Sequence, residues 1–266
     1  MSRTALKPIH INRETCSIDE VIDQLGRIIE WAEQQNNPLG FFPALYRAVT
    51  IRVANGIKVQ RFADGGGMEQ LDVVFANRYF EALDQYLKGE SPTRSWKLAF
   101  NQHQRDDLIV LQHLLLGINA HINLDLGLSA AKVAQNGSQL KRVEADFLEI
   151  NRLLQEMVEE VQQRLNAFSL VWKSADFLLG KADELMANFS LRRARKFAWK
   201  IAEEAYQQAD PYAPHFIASM DQKAEKFGKL ILTPPNFMLT ASLRLMGKLS
   251  FTEAEAIIGE LKKPYD

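Results

Sequence analysis

The sequence predicts an all-α protein, a multi-helix bundle built around a buried central helix at about residues 108–134. Apolar residues recur at helical spacing in nearly every segment, and helix-start and helix-stop signals separate the segments. No alternating apolar and polar run extends beyond a few residues, so strands are not expected. Residues 1–232 are predicted to form the bundle domain, and residues 233–266 a C-terminal helical extension packed on it.

The first two helices are recognised by the residues at their ends. Ser17-Ile18-Asp19-Glu20 is a capping box, in which the serine accepts from a backbone N–H of the first turn and the glutamate reaches back. A second helix is predicted from Phe41 to Ala54, where Asn55-Gly56 would end it.

Three consecutive glycines interrupt the helical pattern within Ala63–Gly67. A phosphate-binding loop would continue with Gly-Lys-Ser or Gly-Lys-Thr, which is absent, so the stretch is interpreted as a flexible connector. The next helix is predicted over Met68–Leu87, with Phe75 and Tyr79 among its inward side chains. Trp96 marks a short helical connector before the central helix.

The central segment, Leu108–Ala134, is apolar on nearly every side, which is typical of a buried helix. Asp106 or Asp107 is expected to cap its N-terminus. The segment nevertheless carries several polar side chains, and buried polar groups must be hydrogen-bonded, paired or bound to metal. These polar residues are His113, Asn119, His121, Asn123 and Asp125.

The second half of the chain continues the helical pattern. Asn136-Gly137 separates it from the central helix, and one helix has an alanine face that lets a neighbour approach closely. The helices are predicted at about residues 138–168, 171–186, 188–208, 214–232, 237–249 and 252–261.

His121 and Asp125 are the strongest candidates for catalytic residues, because their i, i+4 spacing places both on one face of the helix. His-x-x-x-Asp is a recurrent pair of metal ligands, and it also occurs as a structural pair inside cores. Asp146 falls on the buried stripe of the next helix, so His121, Asp125 and Asp146 are the predicted metal ligands. Asn119 and Asn123 point away from this pair and are expected to tie the helix to other neighbours.

An arginine-rich helix supplies the predicted substrate-binding residues. Arg192 and Arg195 lie on one side with Trp199, and Asn151 lies near the seam of the preceding helix. A guanidinium holds carboxylate or phosphate through two parallel hydrogen bonds, which favours an anion-binding role. The alternative is that Arg195 neutralises a core carboxylate such as Asp146, since buried charges normally come paired.

Composition excludes several classes of function. The net charge of −1 gives no field that would attract nucleic acid, and the single cysteine rules out a disulfide framework. The N-terminus lacks the apolar region of a secretory signal, and the longest apolar run is shorter than the ~20 residues of a membrane span. A cytoplasmic protein without a transmembrane segment is therefore expected. Residues 230–249 could lie on a membrane, but packing on the bundle or a homodimer contact through the C-terminal helices is preferred.

Four sequence blocks resemble a bacterial family classified as a domain of unknown function. The family signature is Gly-Ile/Met-Asn-Ala-His-Ile-Asn-x-Asp-Leu, which matches Gly117–Leu126. The resemblance extends over about residues 18–232 and implies the fold class and the position of the site, with no activity to carry over. The other blocks are Met68-x-x-Leu71-Asp72-Val73-Val74-Phe75-Ala76, Asp146-Phe147-x-x-Ile150-Asn151 and Arg192-Arg193-Ala194-Arg195-x-x-Ala198-Trp199.

The central His-x-x-x-Asp is also similar to that of the zinc-dependent phospholipase C and P1-nuclease group. That group uses several more histidines than the five of this chain, so one or two ions held mainly by carboxylates are expected instead. Such oxygen-rich sites favour Mg²⁺ or Mn²⁺ over Zn²⁺.

Three functions follow from these residues. The leading hypothesis is a metal-dependent hydrolase or lyase that acts on a phosphorylated or otherwise anionic, partly apolar small molecule. The first alternative is a non-enzymatic helical module that binds an apolar ligand or a protein partner, with His121, Asp125, Asp146 and Arg195 as a structural network. The second alternative is a metal-free enzyme that uses the His121–Asp125 pair for acid–base chemistry.

Overall fold

The computed structural model describes residues 6–135, 140–141, 143–150, 152–154, 191–249 and 253–263. Within these ranges the secondary structure is helical and contains no strand, which confirms the all-α class. The predicted helix at 171–186 lies outside the described residues. The helices are α1 (Ile18–Gln34), α2 (Phe41–Lys58), α3 (Gly65–Leu87), α4 (Arg94–Phe100), α5 (Val110–Ala120), α6 (Gly127–Gln135), α7 (143–150), α8 (Leu191–Tyr206), α9 (Pro214–Leu232), α10 (Phe237–Leu249) and α11 (Ala254–Leu261).

The serine cap predicted at the start of α1 is confirmed, whereas the glutamate of the predicted capping box bonds to the residue before the serine. The Ser17 hydroxyl accepts from the backbone N–H of Glu20 at 3.2 Å, and the Glu20 carboxylate accepts from the N–H of Cys16 at 2.9 Å. The serine satisfies one of the donors that the first turn of a helix leaves without an intrahelical acceptor.

The end predicted for the second helix is wrong, because α2 continues through Asn55-Gly56 to Lys58. A Cβ at position 56 would lie 2.8 Å from the ring of Phe62. The glycine therefore makes room for an aromatic side chain that folds back on the helix, and it does not terminate the helix.

The predicted connector at Ala63–Gly67 is also only partly a loop, because α3 begins at Gly65. The Asp64 side chain accepts from the N–H of Gly67 at 2.9 Å and caps the helix. The expected cap at the start of the central helix is wrong as well. Asp107 is paired with Arg105 at 2.6 Å, and Ile109 is the N-cap residue.

The central helix is continuous but not α-helical throughout. A π-helical turn, His121–Leu126, separates α5 from α6. Helix α8 crosses this region so closely that a Cβ at Gly127 would lie 2.4 Å from the carbonyl oxygen of Ala198. The buried alanine face of α8 permits this approach, as the sequence predicts: Ala194, Ala198, Ala202 and Ala205 are all buried.

Helices α10 and α11 belong to the largest core cluster of the fold. Leu239, Leu243 and Met246 of α10 and Ile258 of α11 lie in the same cluster as α1, α2 and α5. Exposed contacts add to this packing, since the Lys262 ammonium lies 2.6 Å from the Glu33 carboxylate of α1.

The segment Val110–Gln135 is long and apolar enough to cross a membrane by length and composition. In this fold 94% of its most apolar stretch is buried inside the protein. The central helix of a compact helical bundle has the same two properties.

Candidate functional site around His121

The π-helical turn carries the two residues predicted to be catalytic. His121 and Asp125 are buried, and His121 Nδ1 lies 3.9 Å from Asp125 Oδ2. Their adjacency across one turn is confirmed, although the separation exceeds a hydrogen bond. Wide turns of this kind are uncommon within helices and are found frequently at functional sites.

Aromatic rings enclose the imidazole of His121. Phe75 of α3 stacks on it with ring centroids 3.4 Å apart and planes 11° from parallel. Tyr46 and Phe42 of α2 meet it edge-on at 4.4 Å and 5.4 Å. Trp96 of α4 lies 6.0 Å away. The side chain of Phe42 reaches this place because position 117 is glycine, where a Cβ would lie 2.5 Å from it.

Among the described residues, neither ring nitrogen of His121 has a hydrogen-bond partner, although His121 is only 3% exposed. Burial lowers the pKa of His121 below its usual value, and this effect outweighs the attraction of Asp125 for the charged form. The imidazole is therefore neutral at pH 7, with one nitrogen available as a donor and the other as an acceptor.

Asp125, in contrast, is fully paired. Arg78 Nε donates to one carboxylate oxygen at 2.7 Å, and Trp96 Nε1 donates to the other at 2.7 Å. Burial would raise the pKa of Asp125, but Arg78, His121 and Trp96 hold it below its usual value. Asp125 is thus an ionised carboxylate that joins α3, α4 and the π-helical turn.

Arg78 and the hydrogen bond from Trp96 are functional features that were not predicted from the sequence. A signal for Arg78 was present, because it lies three residues after Phe75 and seven after Leu71, on the inward stripe of α3. A cation on a buried stripe indicates a buried carboxylate elsewhere in the fold.

Further polar atoms without a described partner belong to α2 and α3, the helices whose aromatic rings enclose the imidazole. The hydroxyls of Tyr46 and Tyr79 and one carboxylate oxygen of Asp72 are buried and accept or donate no hydrogen bond. Burial raises the pKa of Tyr46 well above its usual value, and the neighbouring carboxylates of Asp72 and Asp125 raise it further. Burial, with a smaller effect from Glu69, raises the pKa of Asp72 to about 7. We call His121, Tyr46, Tyr79 and Asp72 the unpartnered cluster.

Asp146 is buried, as its place on the helical stripe predicts, and its hydrogen-bond partners are backbone groups. Its two carboxylate oxygens accept from the backbone N–H groups of Ala63 and Asp64 at 2.7 Å and 2.9 Å. It thereby fixes the segment before α3, while Asp125 is held by Arg78 and Trp96. The predicted sharing of an ion by His121, Asp125 and Asp146 would add a metal ion to carboxylates that already accept these hydrogen bonds.

Over the part of the chain that the structure describes, no group of three or more histidine, cysteine or acidic side chains is arranged to hold a metal ion. The Mg²⁺, Mn²⁺ or Zn²⁺ site stays a prediction, to be checked by calorimetric titration of the protein with each ion. The carboxylate donors that it needs are engaged with other groups.

Arg195 is a buried cation beside an aromatic ring. It is 4% exposed, it donates to the backbone carbonyl of Phe147, and its guanidinium lies 4.2 Å from the Phe147 ring centroid. Its Nε has no hydrogen-bond partner, and burial lowers its pKa to about 9, so it still carries a charge at pH 7. No described carboxylate, Asp146 included, forms an ion pair with it.

Of the other predicted substrate-binding residues, the structure describes the side chain of Trp199 only. Trp199 lies near Arg195, with its ring centroid 5.0 Å from that of Phe147. Asn151 and the side chain of Arg192 lie outside the described residues.

Asn119 and Asn123 confirm the expectation that they face another neighbour. Asn119 donates to the carbonyl of Ala224 in α9 at 2.9 Å, and Asn123 donates to Asn119 at 2.8 Å. The polar residues of the central helix therefore lie on two faces. Asn119 and Asn123 face α9, whereas His121 and Asp125 face α2, α3 and α4.

Fold and site together define an all-α protein with an imidazole enclosed by aromatic rings at a π-helical turn. The match to a family model is specific: residues 18–234 match the family of unknown function DUF5995, and the chain belongs to that family. No curated protein and no solved structure matches this chain.

Proposed function

We propose that the chain is an enzyme that acts on an anionic, partly apolar small molecule by acid–base chemistry, with His121 as the proton acceptor. The observation that carries this proposal is a neutral, buried imidazole with neither nitrogen hydrogen-bonded. Buried side-chain nitrogens normally have partners, because leaving them without one costs free energy. A ligand that hydrogen-bonds to the imidazole would supply the missing partner.

Asp72 and Tyr46 support the proposal as the polar groups that would meet the same ligand. A carboxyl group with a pKa of about 7 gives up or takes a proton readily at neutral pH. The raised pKa of Tyr46 keeps its hydroxyl protonated, so that it can donate to a substrate oxygen. His121 and Asp72 would then act as base and acid, which is the pair of roles that hydrolase and lyase reactions both need.

Arg195 supports an anionic substrate. Over the described part of the chain its guanidinium has no carboxylate partner, and such a buried cation attracts a carboxylate or phosphate group. Phe75 connects the two places: it stacks on His121, and it also packs against the cluster that contains Phe147. The aromatic rings around His121 would contact the apolar part of the molecule.

The test is a thermal-shift screen of small carboxylates and phosphate esters against the full chain at pH 7, with chelator present. Compounds that bind should raise Tm by a few degrees at saturating concentration. We expect the shift to disappear in His121→Phe, which keeps a ring against Phe75 but has no nitrogen. His215→Asn, which removes an exposed histidine of α9, is the matched control and should retain the shift.

Compounds that stabilise His121→Phe as strongly as the unmodified protein would contradict the proposal. Compounds that bind only in a parallel screen without chelator would favour the metal hypothesis instead. Each compound that binds is then incubated with the protein, and its conversion is followed by mass spectrometry.

A second candidate is a binding module without catalysis, and the pairing of Asp125 favours it. Because Arg78 and Trp96 occupy both carboxylate oxygens, Asp125 is not free to orient His121 as a base. This candidate predicts a ligand that depends on His121 for binding and is recovered unchanged after incubation.

A further inference from the structure

The large apolar side chains at the surface are concentrated in one part of the fold. Among the described residues seven such side chains are exposed, and five of them lie between positions 227 and 245. Exposed apolar groups that cluster in this way mark an interaction surface, whereas scattered single ones need no explanation. The five are Phe227 (47% exposed), Leu230 (51%), Phe237 (82%), Met238 (66%) and Leu245 (54%).

The same stretch is strongly basic, although the chain as a whole has a net charge of −1. Residues 222–249 contain five lysines and arginines and one acidic residue, which gives a local net charge of +4. The acidic residue, Glu225, is paired with Lys229 at 2.6 Å. The five basic residues, all exposed, are Lys223, Lys226, Lys229, Arg244 and Lys248.

The fold holds these side chains outward. Leu239, Leu243 and Met246, on the opposite face of α10, are in the main core, so the exposed face cannot turn inward. The turn between α9 and α10 is fixed by two hydrogen bonds, from Thr240 Oγ1 to the carbonyl of Pro234 at 2.9 Å and from the N–H of Leu239 to Asn236 Oδ1 at 3.2 Å.

We propose that this α9–α10 surface docks the protein on a membrane that contains anionic phospholipids. Helices with exposed aromatic and aliphatic side chains among lysines and arginines lie in the headgroup region, where the apolar groups insert and the cations contact lipid phosphates. Phe237 and Met238 lie at the start of α10 next to the turn, are the two most exposed of the five side chains, and are the inserting side chains.

The charge pattern favours lipid over a second copy of the chain. A two-fold dimer through this face would bring the same patch of each subunit together, and with it two stretches that each carry a net charge of +4. Like charges at close range oppose such a contact, whereas an anionic surface neutralises them.

The experiment is co-sedimentation of the full chain with vesicles of phosphatidylcholine alone and of phosphatidylcholine mixed with phosphatidylserine. We expect binding to the mixed vesicles and about tenfold weaker binding to the neutral ones. Phe237→Ser/Met238→Ser and Lys226→Glu/Lys248→Glu should each reduce binding to the mixed vesicles about tenfold. The matched control is Lys58→Glu/Val59→Ser, which makes both kinds of change at an exposed position at the end of α2.

Equal binding of the Phe237→Ser/Met238→Ser variant and the unmodified chain would overturn the proposal. So would light scattering that shows a dimer in solution which these substitutions dissociate, because the face would then be covered by a second copy. Because all four substituted side chains are exposed, circular dichroism should show unchanged folding, and the loss of binding can be assigned to the surface.

Discussion

Asp125 and Asp72 are two buried carboxylates that the fold treats in opposite ways. Asp125 is 1% exposed and both its oxygens accept strong hydrogen bonds, one of them from a cation. Asp72 is 5% exposed, and its Oδ2 is buried with no partner at all. The first has a lowered pKa and the second a pKa of about 7. Both carboxylates are buried, so their different pKa values follow from the hydrogen-bond and ion-pair partners that Asp125 has and the Oδ2 of Asp72 lacks.

The groups around His121 differ in the same way, since some have hydrogen-bond partners and others have none among the described residues. Asp125, Arg78 and Trp96 connect three helical elements and leave no oxygen of Asp125 for a ligand. On the other side of the contrast stands the unpartnered cluster, whose polar atoms are buried without a described hydrogen-bond partner, which costs free energy. Substitutions on the two sides should thus change stability in opposite directions.

The largest effect is expected for Asp125→Ala, which leaves the Arg78 guanidinium buried without a counter-charge. Removing one partner of a buried ion pair costs about 3–5 kcal/mol. Urea denaturation at pH 7 should show this loss. Arg78→Met should give a comparable loss, and Arg78→Met/Asp125→Leu should recover part of it, since no charge remains buried. A loss of less than about 1 kcal/mol in Asp125→Ala would contradict the division made here.

Asp72→Asn should increase the free energy of unfolding, and the size of the increase should depend on pH. The pKa of the unfolded carboxyl lies near its ordinary value of 3.8 and that of the folded one at about 7, so the native state loses stability as pH rises between these values. Asparagine has no such titration. At pH 4 the variant should match the unmodified protein, and at pH 8 it should be more stable by up to about 4 kcal/mol.

The measurement is a series of urea denaturation curves from pH 4 to pH 8. Asp19→Asn, on the exposed side of α1, controls for the loss of one negative charge. A stability difference that does not change with pH would show that Asp72 is paired in solution.

The local features of this arrangement could be predicted from the sequence. Apolar spacing predicted the helices, the alanine face of α8 predicted its close approach, and the i, i+4 spacing predicted that His121 and Asp125 are neighbours. Each of these is set by residues within one or two turns of a helix.

The remaining part depends on contacts between distant segments. Arg78 lies 47 residues from Asp125, so no local pattern joins them. The π-helical turn changes which residues share a face, and it occurs where α8 crosses at Gly127. Asn55-Gly56 has the composition of a helix end, but Phe62 needs the space at Gly56. Tertiary packing overrides the local signal in each case.

A smaller loss, about 1–2 kcal/mol, is expected for Asp146→Ala, which belongs with the paired carboxylates. Its two acceptors hold the N–H groups of Ala63 and Asp64, a partly exposed segment where water can replace them. Calorimetric titration with Mn²⁺ gives a second measurement on the same variant. If Asp146 and Asp125 bound one ion, both substitutions would abolish the heat of binding.

The smallest expected effect is that of His121→Phe, because it removes two unpartnered nitrogens and keeps the stacked ring. A gain of about 1 kcal/mol at pH 7 is expected, since apolar atoms replace polar atoms that have no partner. The gain should increase toward pH 5. The folded imidazole has a lowered pKa, so the unfolded chain takes up the proton first and the unmodified protein loses stability as pH falls below 6.5. Phenylalanine does not titrate, so the variant should not show that loss. If the variant were instead less stable than the unmodified protein, His121 would belong with Asp125 among the residues that stabilise the fold.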